Sequence, residues 1–188
     1  PVMVDSTFAT PILQNPAALG ARYVLHSATK FLGGHGDVIA GVVCCADNDA
    51  APIRQMRALT GGLLHPLGAY LLHRGLATLA LRVERAQANA IEIATRLARH
   101  ASVAKVYFPG LADHEHHELI GEGEGAQMRG PGALMAMELH GGFDVAAATM
   151  AAVKLITPAV SLGSVDSLIQ HPAGLTHRVV DEQARVKH

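Results

Sequence analysis

Thiols are scarce in this sequence and charge is sparse. The only two cysteines, Cys44 and Cys45, are adjacent. Neighbouring strand residues face opposite sides, so the two are poor partners for a bridge, and a reducing, cytoplasmic setting is expected. No run of 18 apolar residues occurs, which speaks against a membrane-spanning helix. No charged-then-apolar signal segment opens the chain. Formal net charge is −1, so neither nucleic acid nor an anionic membrane is an expected partner. Charged residues are 16% against 49% hydrophobic, a balance that favours a sizeable core over disorder. No internal repeat is visible.

What is present reads as alternating strands and helices. Val2-Met3-Val4 is a short apolar run fit for a buried parallel strand and ends at Asp5. Asn15-Pro16 opens a helical turn that Gly20 stops. Tyr23-Val24-Leu25 is a second strand. The stretch Val38 to Cys45 is a third, after a turn-rich link at Gly33-Gly34-His35-Gly36-Asp37. Helical spacing runs from Asp49 to Leu59, with Ile53, Met56 and Leu59 on one side, and Pro66 opens another helix towards Gly75. From Leu76 to about His100 the helical pattern is strong. Leu81, Ala88, Ile91, Ala94, Thr95 and Ala98 form its apolar side, while Arg82, Glu84, Arg85, Glu92 and Arg96 fill much of the other.

Beyond that helix, Val103 to Phe108 and Ala133 to Leu139 read as strands, and Ala112 to Gly132 as a polar loop. Asp144 to Leu155 reads as an Ala-rich helix, and Ala159 to Leu162 as the start of a last strand. The organisation expected is part of an α/β unit over about residues 1–80, then an α+β unit over 81–188. The chain opens inside a strand-like run with no initiator Met and ends in a polar stretch from Asp181 to His188, as a piece of a longer chain would.

Two strand ends carry reactive groups. Asp5 follows the first apolar run, and Lys30 follows the second in His26-Ser27-Ala28-Thr29-Lys30. Ligands of open α/β sheets sit beyond the carboxyl ends of the strands. An acid and a lysine together there suit pyridoxal 5'-phosphate (PLP). The carboxylate keeps the pyridine nitrogen protonated, the amine forms an imine, and the hydroxyls of Ser27 and Thr29 face a phosphate. Taken singly, Ser-Ala-Thr-Lys also fits an ordinary surface turn, and Asp5 an ordinary strand end or cap.

The segments VMVDSTFATP and HSATKFLGGHGDVIAG, within residues 2–46, resemble the Cys/Met-metabolism PLP enzymes. So do RGLATLALRVERAQANA at 74–90, VYFPGL at 106–111 and AVSLGSVDSLIQHPAGLTH at 159–177. The resemblance implies a fold-type I PLP-dependent transferase fold: a mainly parallel large domain, with part of it in 1–80, and an incomplete smaller α+β domain in 81–188. It implies Lys30 as the Schiff-base lysine and Asp5 as the pyridine-nitrogen partner. Ser27 and Thr29 would contact the phosphate, Thr7 would sit near the ring, and Ser161 with the Leu162 backbone would lie by the substrate carboxylate. It implies γ-elimination or γ-replacement on cystathionine, methionine or an O-acylhomoserine, and a homotetramer built from tight dimers.

Ser161-Leu162-Gly163-Ser164-Val165-Asp166-Ser167-Leu168 resembles the γ-synthase and γ-lyase branch, with Asp166 where Glu is usual. The Leu-Gly-Asp pattern of the sulfhydrylases is lacking. Arg57-Ala58-Leu59-Thr60-Gly61 departs from the Lys-Asp that precedes Thr-Gly in methionine γ-lyases. The family's ring-stacking Tyr, Gly-rich phosphate turn and carboxylate-binding Arg are expected outside this chain. The alternatives are a homoserine sulfhydrylase of the same family, or a catalytically incompetent piece with only an assembly role. His114-Glu115-His116-His117-Glu118 lacks the His-Glu-x-x-His spacing and reads as a solvated loop, so no metal is expected. Gly121, Gly123 and Gly125 follow no strand and do not read as a dinucleotide loop.

Overall fold

The computed structural model describes residues 1–181 and 184. The apolar runs near the start form one three-stranded sheet, ordered β1 (Met3–Asp5), β2 (Tyr23–Ser27), β3 (Gly41–Cys45). β1 runs parallel to β2 with Asp5 opposite Leu25, so both strands end at the same edge of the sheet. β3 returns antiparallel, with Ser27 opposite Gly41. It starts three residues later than its apolar run. Val38 is buried and lies so close to Gly33 that a methyl there would meet it at 2.6 Å. Ala40 is bonded to Thr29 instead of extending the strand.

Between β1 and β2 the chain makes a short helix, α1 (Thr10–Leu13), and a 3-10 turn at Pro16–Leu19. The turn and its stop at Gly20 (φ 93°) follow the sequence reading, although the Asn15 side chain makes no capping bond. α1 was not anticipated. It opens on Thr10, fully buried with φ 60°, a conformation costly for a β-branched residue. The Thr10 hydroxyl accepts the Ile12 amide at 3.2 Å, which compensates in part.

Three helices follow: α2 (Asp47–Thr60), α3 (Pro66–Leu76) and α4 (Leu79–Leu97). Arg22 pairs with Asp49 and ties α2 to the start of β2. The apolar side of α2 is uncovered among the described residues, with Met56 and Leu59 both largely exposed. α4 buries Leu79, Val83, Ala90 and Ala94. Spacings of four, seven and four keep these on one stripe. Of the apolar side read from the sequence, Ala94 is buried, whereas Leu81 and Ile91 are exposed. The stripe is set by what each end of α4 packs on.

Its first half joins a core of Ala9, Leu13, Ala28, Phe31 and Leu32; its second half joins one of Val106 and Phe108. That second core is backed by the antiparallel pair β4 (Val103–Tyr107) and β5 (Ala136–Leu139). Residues between β4 and β5 form turns with one 3-10 segment, His117–Leu119. α5 (Gly142–Ala152) precedes the short parallel pair β6 (Thr157–Pro158) and β7 (Leu168–Ile169). No described helix is long and apolar enough to cross a membrane. The unit expected over 81–188 extends past the described residues, as does most of the polar stretch from Asp181 to His188.

Candidate active site

The site begins with the turn that follows β2. In Ser27-Ala28-Thr29-Lys30-Phe31-Leu32, the apolar residues Ala28, Phe31 and Leu32 are all buried. They stand at i, i+3 and i+4, the spacing of one face of a helical turn. Lys30 lies off that face and is half-buried. Main-chain bonds close the turn: Lys30 N–H to the Ser27 carbonyl (3.1 Å), Gly33 to Ala28 (2.8 Å) and Gly34 to Lys30 (2.8 Å). Burying a side chain the size of Phe31 or Leu32 contributes roughly 1.5–3 kcal/mol, so the lysine rides on an anchored backbone.

Asp5 ends the neighbouring strand. Its Oδ1 accepts the Thr7 amide at 2.9 Å. Hydrogen bonds from the Thr7 side chain and backbone hold the Asp5 carboxyl below its ordinary pKa, against a smaller opposing effect of burial. A lowered carboxyl pKa contributes stability that is complete above the unfolded value and is lost as pH falls through the folded one. Asp5 is therefore an anion at neutral pH. Thr7, itself buried, also accepts the Ser27 amide at 2.7 Å through its hydroxyl. One threonine thus links the Asp5 end of β1 to the residue three before Lys30. Behind this link His26 is buried, its pKa lowered by burial, and among the described residues its Nδ1 has no partner.

The third component comes from 131 residues further on. Lys30 Nζ lies 3.2 Å from Ser161 Oγ. Ser161 and Leu162 are not in a strand, contrary to the sequence reading. The chain leaves the β6 pairing and turns at Gly163 (φ 82°) onto the lysine turn. A methyl at 163 would stand 2.5 Å from the Phe31 nitrogen and 2.9 Å from the Lys30 carbonyl carbon. Val165 N–H then bonds the Gly34 carbonyl at 3.0 Å. Leu162 packs against the Phe31 core. Gly163→Ala is expected to push this segment off the turn at a cost of about 1–3 kcal/mol. A thermal melt of the full-length protein reads this directly, and an unchanged melt would mean that Gly163 does not hold the contact.

The remaining expected residues differ in how free they are. Among the described residues the Ser27 hydroxyl makes no hydrogen bond, whereas the Thr29 hydroxyl accepts the Ala40 amide at 3.0 Å and lies 3.4 Å from the Ala40 carbonyl. Lys30 makes no ion pair among the described residues. The chain has four lysines, at 30, 105, 154 and 187. Lys105 is exposed over the Tyr107 ring and Lys154 is exposed after α5; Lys30 is the described lysine at the sheet's carboxyl edge. No group of three or more His, Cys, Asp or Glu among the described residues is arranged to hold a metal ion. The sequence reading missed Gly163 and Arg82 as parts of this site. The sequence reading places Arg82 on the charged side of its helix, yet it donates to the Phe31 carbonyl.

The family model of the Cys/Met metabolism PLP-dependent enzymes matches residues 1–188. The chain belongs to this family. It is 53% identical over 185 residues to an L-methionine gamma-lyase of Brevibacterium sandarakinum, covering 98% of this chain and 46% of that protein. Among solved structures it is similar to a cystathionine gamma-lyase from Lactobacillus plantarum complexed with L-serine, with TM-score 0.90, 38% identity and coverage of 98% and 48%. It is also similar to a cystathionine gamma synthase from Xanthomonas oryzae pv. oryzae in complex with aminoacrylate and cysteine, with TM-score 0.87, 42% identity and coverage of 98% and 47%. The chain spans about half the length of the curated relatives it matches. The fold is accordingly that of fold-type I PLP-dependent enzymes.

Proposed function

We propose that the full-length protein carrying this chain performs PLP-dependent γ-elimination or γ-replacement on a sulfur amino acid, with Lys30 as the cofactor's covalent attachment point. The observation that carries the reading is the 3.2 Å contact between Lys30 Nζ and Ser161 Oγ, which joins two motifs far apart in sequence at the sheet edge where β1 ends in an ionised Asp5. The residues present fit PLP. The Lys30 amine has only a hydroxyl partner among the described residues, and a carboxylate held ionised ends the adjacent parallel strand.

PLP, when bound, supplies an electron sink for charge that develops on the substrate carbons. Asp5 holds the proton on the pyridine nitrogen. The Lys30 amine would hold the cofactor covalently and would move protons at Cα and Cβ of the substrate. Ser161 orients the Lys30 amine and, with the Leu162 backbone, lies on the substrate-carboxylate side. Thr7 would contact the ring, while its hydroxyl holds the Ser27 amide. Ser27 offers the phosphate a free hydroxyl, and Thr29 joins it by turning its hydroxyl hydrogen away from the long contact to Ala40.

The relatives named methionine gamma-lyase support elimination from methionine as the first reaction to assay. The amino acids bound in similar solved structures support an amino-acid substrate. The same reading assigns 1–80 to the larger PLP-binding unit and 81–188 to the smaller one, in a cytoplasmic homotetramer.

Product analysis tests the activity. The full-length, PLP-loaded protein is incubated with methionine, with cystathionine, and with an O-acylhomoserine plus a thiol or sulfide. A 2-keto acid with a released thiol marks elimination; a new thioether or thiol amino acid marks replacement. Sulfide incorporation alone would move the protein to the sulfhydrylases, and no product from any of these sulfur or acyl substrates would reject the reading.

A further inference from the structure

We propose that Arg82 is a positioning residue for Lys30, a guanidinium clamp that fixes the lysine-bearing turn through its main chain. The proposal rests on the reading of Lys30 as the PLP attachment point. Arg82 sits in the first turn of α4 and all its polar contacts run inward. One terminal nitrogen donates to the Phe31 carbonyl at 2.8 Å, immediately after Lys30. The other donates to the Gly75 carbonyl at the end of α3, at 2.7 Å, and Nε donates to the Thr78 hydroxyl at 3.0 Å. The guanidinium therefore bridges the lysine turn and the α3–α4 junction.

Glycines at the close approaches make the clamp sterically possible. A methyl at Gly34 would stand 2.0 Å from an Arg82 nitrogen, and one at Gly75 would stand 2.3 Å from the Gly33 carbonyl oxygen. Gly163 also comes up against the Lys30–Phe31 peptide, where a methyl would stand 2.5 Å from the Phe31 nitrogen. The backbone that carries the candidate amine is thus held by two elements distant in sequence.

The chemistry of the grip points beyond packing. Arg82 makes no ion pair among the described residues, and burial lowers its pKa. An apolar side chain could join a helix to a loop without desolvating a charge. The planar fork does what an apolar group or an ammonium cannot: it sets two carbonyls from different elements at a fixed spacing. Proton transfer from a lysine needs that constancy, because a shift of about 1 Å in a catalytic group can cost about a hundredfold in rate.

The test compares Arg82→Met and Arg82→Lys with the parent in the full-length, PLP-loaded protein. Arg82→Met is expected to retain bound PLP and a KM within about twofold, while kcat falls about tenfold to a hundredfold. The visible circular dichroism of the cofactor band, which reports how firmly the lysine holds the ring, is expected to drop. Arg82→Lys is expected to fall between the two, since an ammonium on a flexible stem does not reproduce the fork.

Parent-level kcat and parent-level visible dichroism in Arg82→Met would overturn the clamp. Should Arg82→Met not fold, Arg82→Lys decides: a parent-level kcat overturns the proposal, and a lower kcat at unchanged KM supports it. Borohydride trapping and peptide mapping of the parent separate the two layers. Label on a lysine other than Lys30 rejects the attachment point, whatever the Arg82 variants do.

Discussion

Lys30→Ala in the full-length protein is expected to abolish both the visible imine band and turnover, with kcat falling by at least about four orders of magnitude. On the proposed reading, alanine removes the one group that would both attach the cofactor and move substrate protons. The fold should tolerate the change. Lys30 is half-buried, and the turn is anchored by Ala28, Phe31 and Leu32, which are untouched. The absence of activity would therefore accompany a near-parent melting curve. Absorbance after PLP addition, borohydride trapping and single-turnover product analysis read the result. Retention of both the band and turnover would end the assignment of Lys30.

Asp5→Asn is expected to leave PLP bound and to lower kcat by roughly a hundredfold. Asparagine keeps the shape and an acceptor for the Thr7 amide but removes the negative charge. A hydrogen bond to a charged group contributes about 1.5–3 kcal/mol, which converts to roughly ten- to a hundredfold. The effect is expected at the upper end, since loss of the pyridinium proton would also weaken the electron sink. The Asp5→Asn defect should appear in kcat with PLP content near stoichiometric, whereas Lys30→Ala loses the covalent link itself. Full activity in Asp5→Asn would remove Asp5 from the mechanism.

The two strands whose ends carry Asp5 and lead to Lys30 were legible because each is a local pattern. Val2 to Asp5 and Tyr23 to Ser27 are short apolar runs that stop at polar residues, and strand propensity sufficed to mark where each ends. The lysine turn was legible for a similar reason, through Gly33 to Asp37 after Ser27-Ala28-Thr29-Lys30. Ser161 was marked by resemblance and placed wrongly in a strand. Its segment leaves the β6 pairing because Gly163 folds onto Phe31, a contact 132 residues away that no local window contains. On α4 the helix was clear, but the buried stripe was not. Leu81 and Leu79 are equally apolar, and only the location of the two cores decides that Leu79 is buried and Leu81 exposed.

Arg82 shows the same division most clearly. From sequence it is one charge among Glu84, Arg85 and Glu92 on a helix surface. In the fold it reaches main-chain carbonyls of two other elements, and carbonyls carry no residue-specific signal in a sequence. The sequence by itself determined most of the elements and the family, and it singled out Asp5 and Lys30 as the candidate pair, because these rest on side-chain identity and short spacing. Tertiary structure alone decided which distant segments grip the lysine turn, because that depends on main-chain acceptors, on glycines at close approach and on the orientation of packed helices.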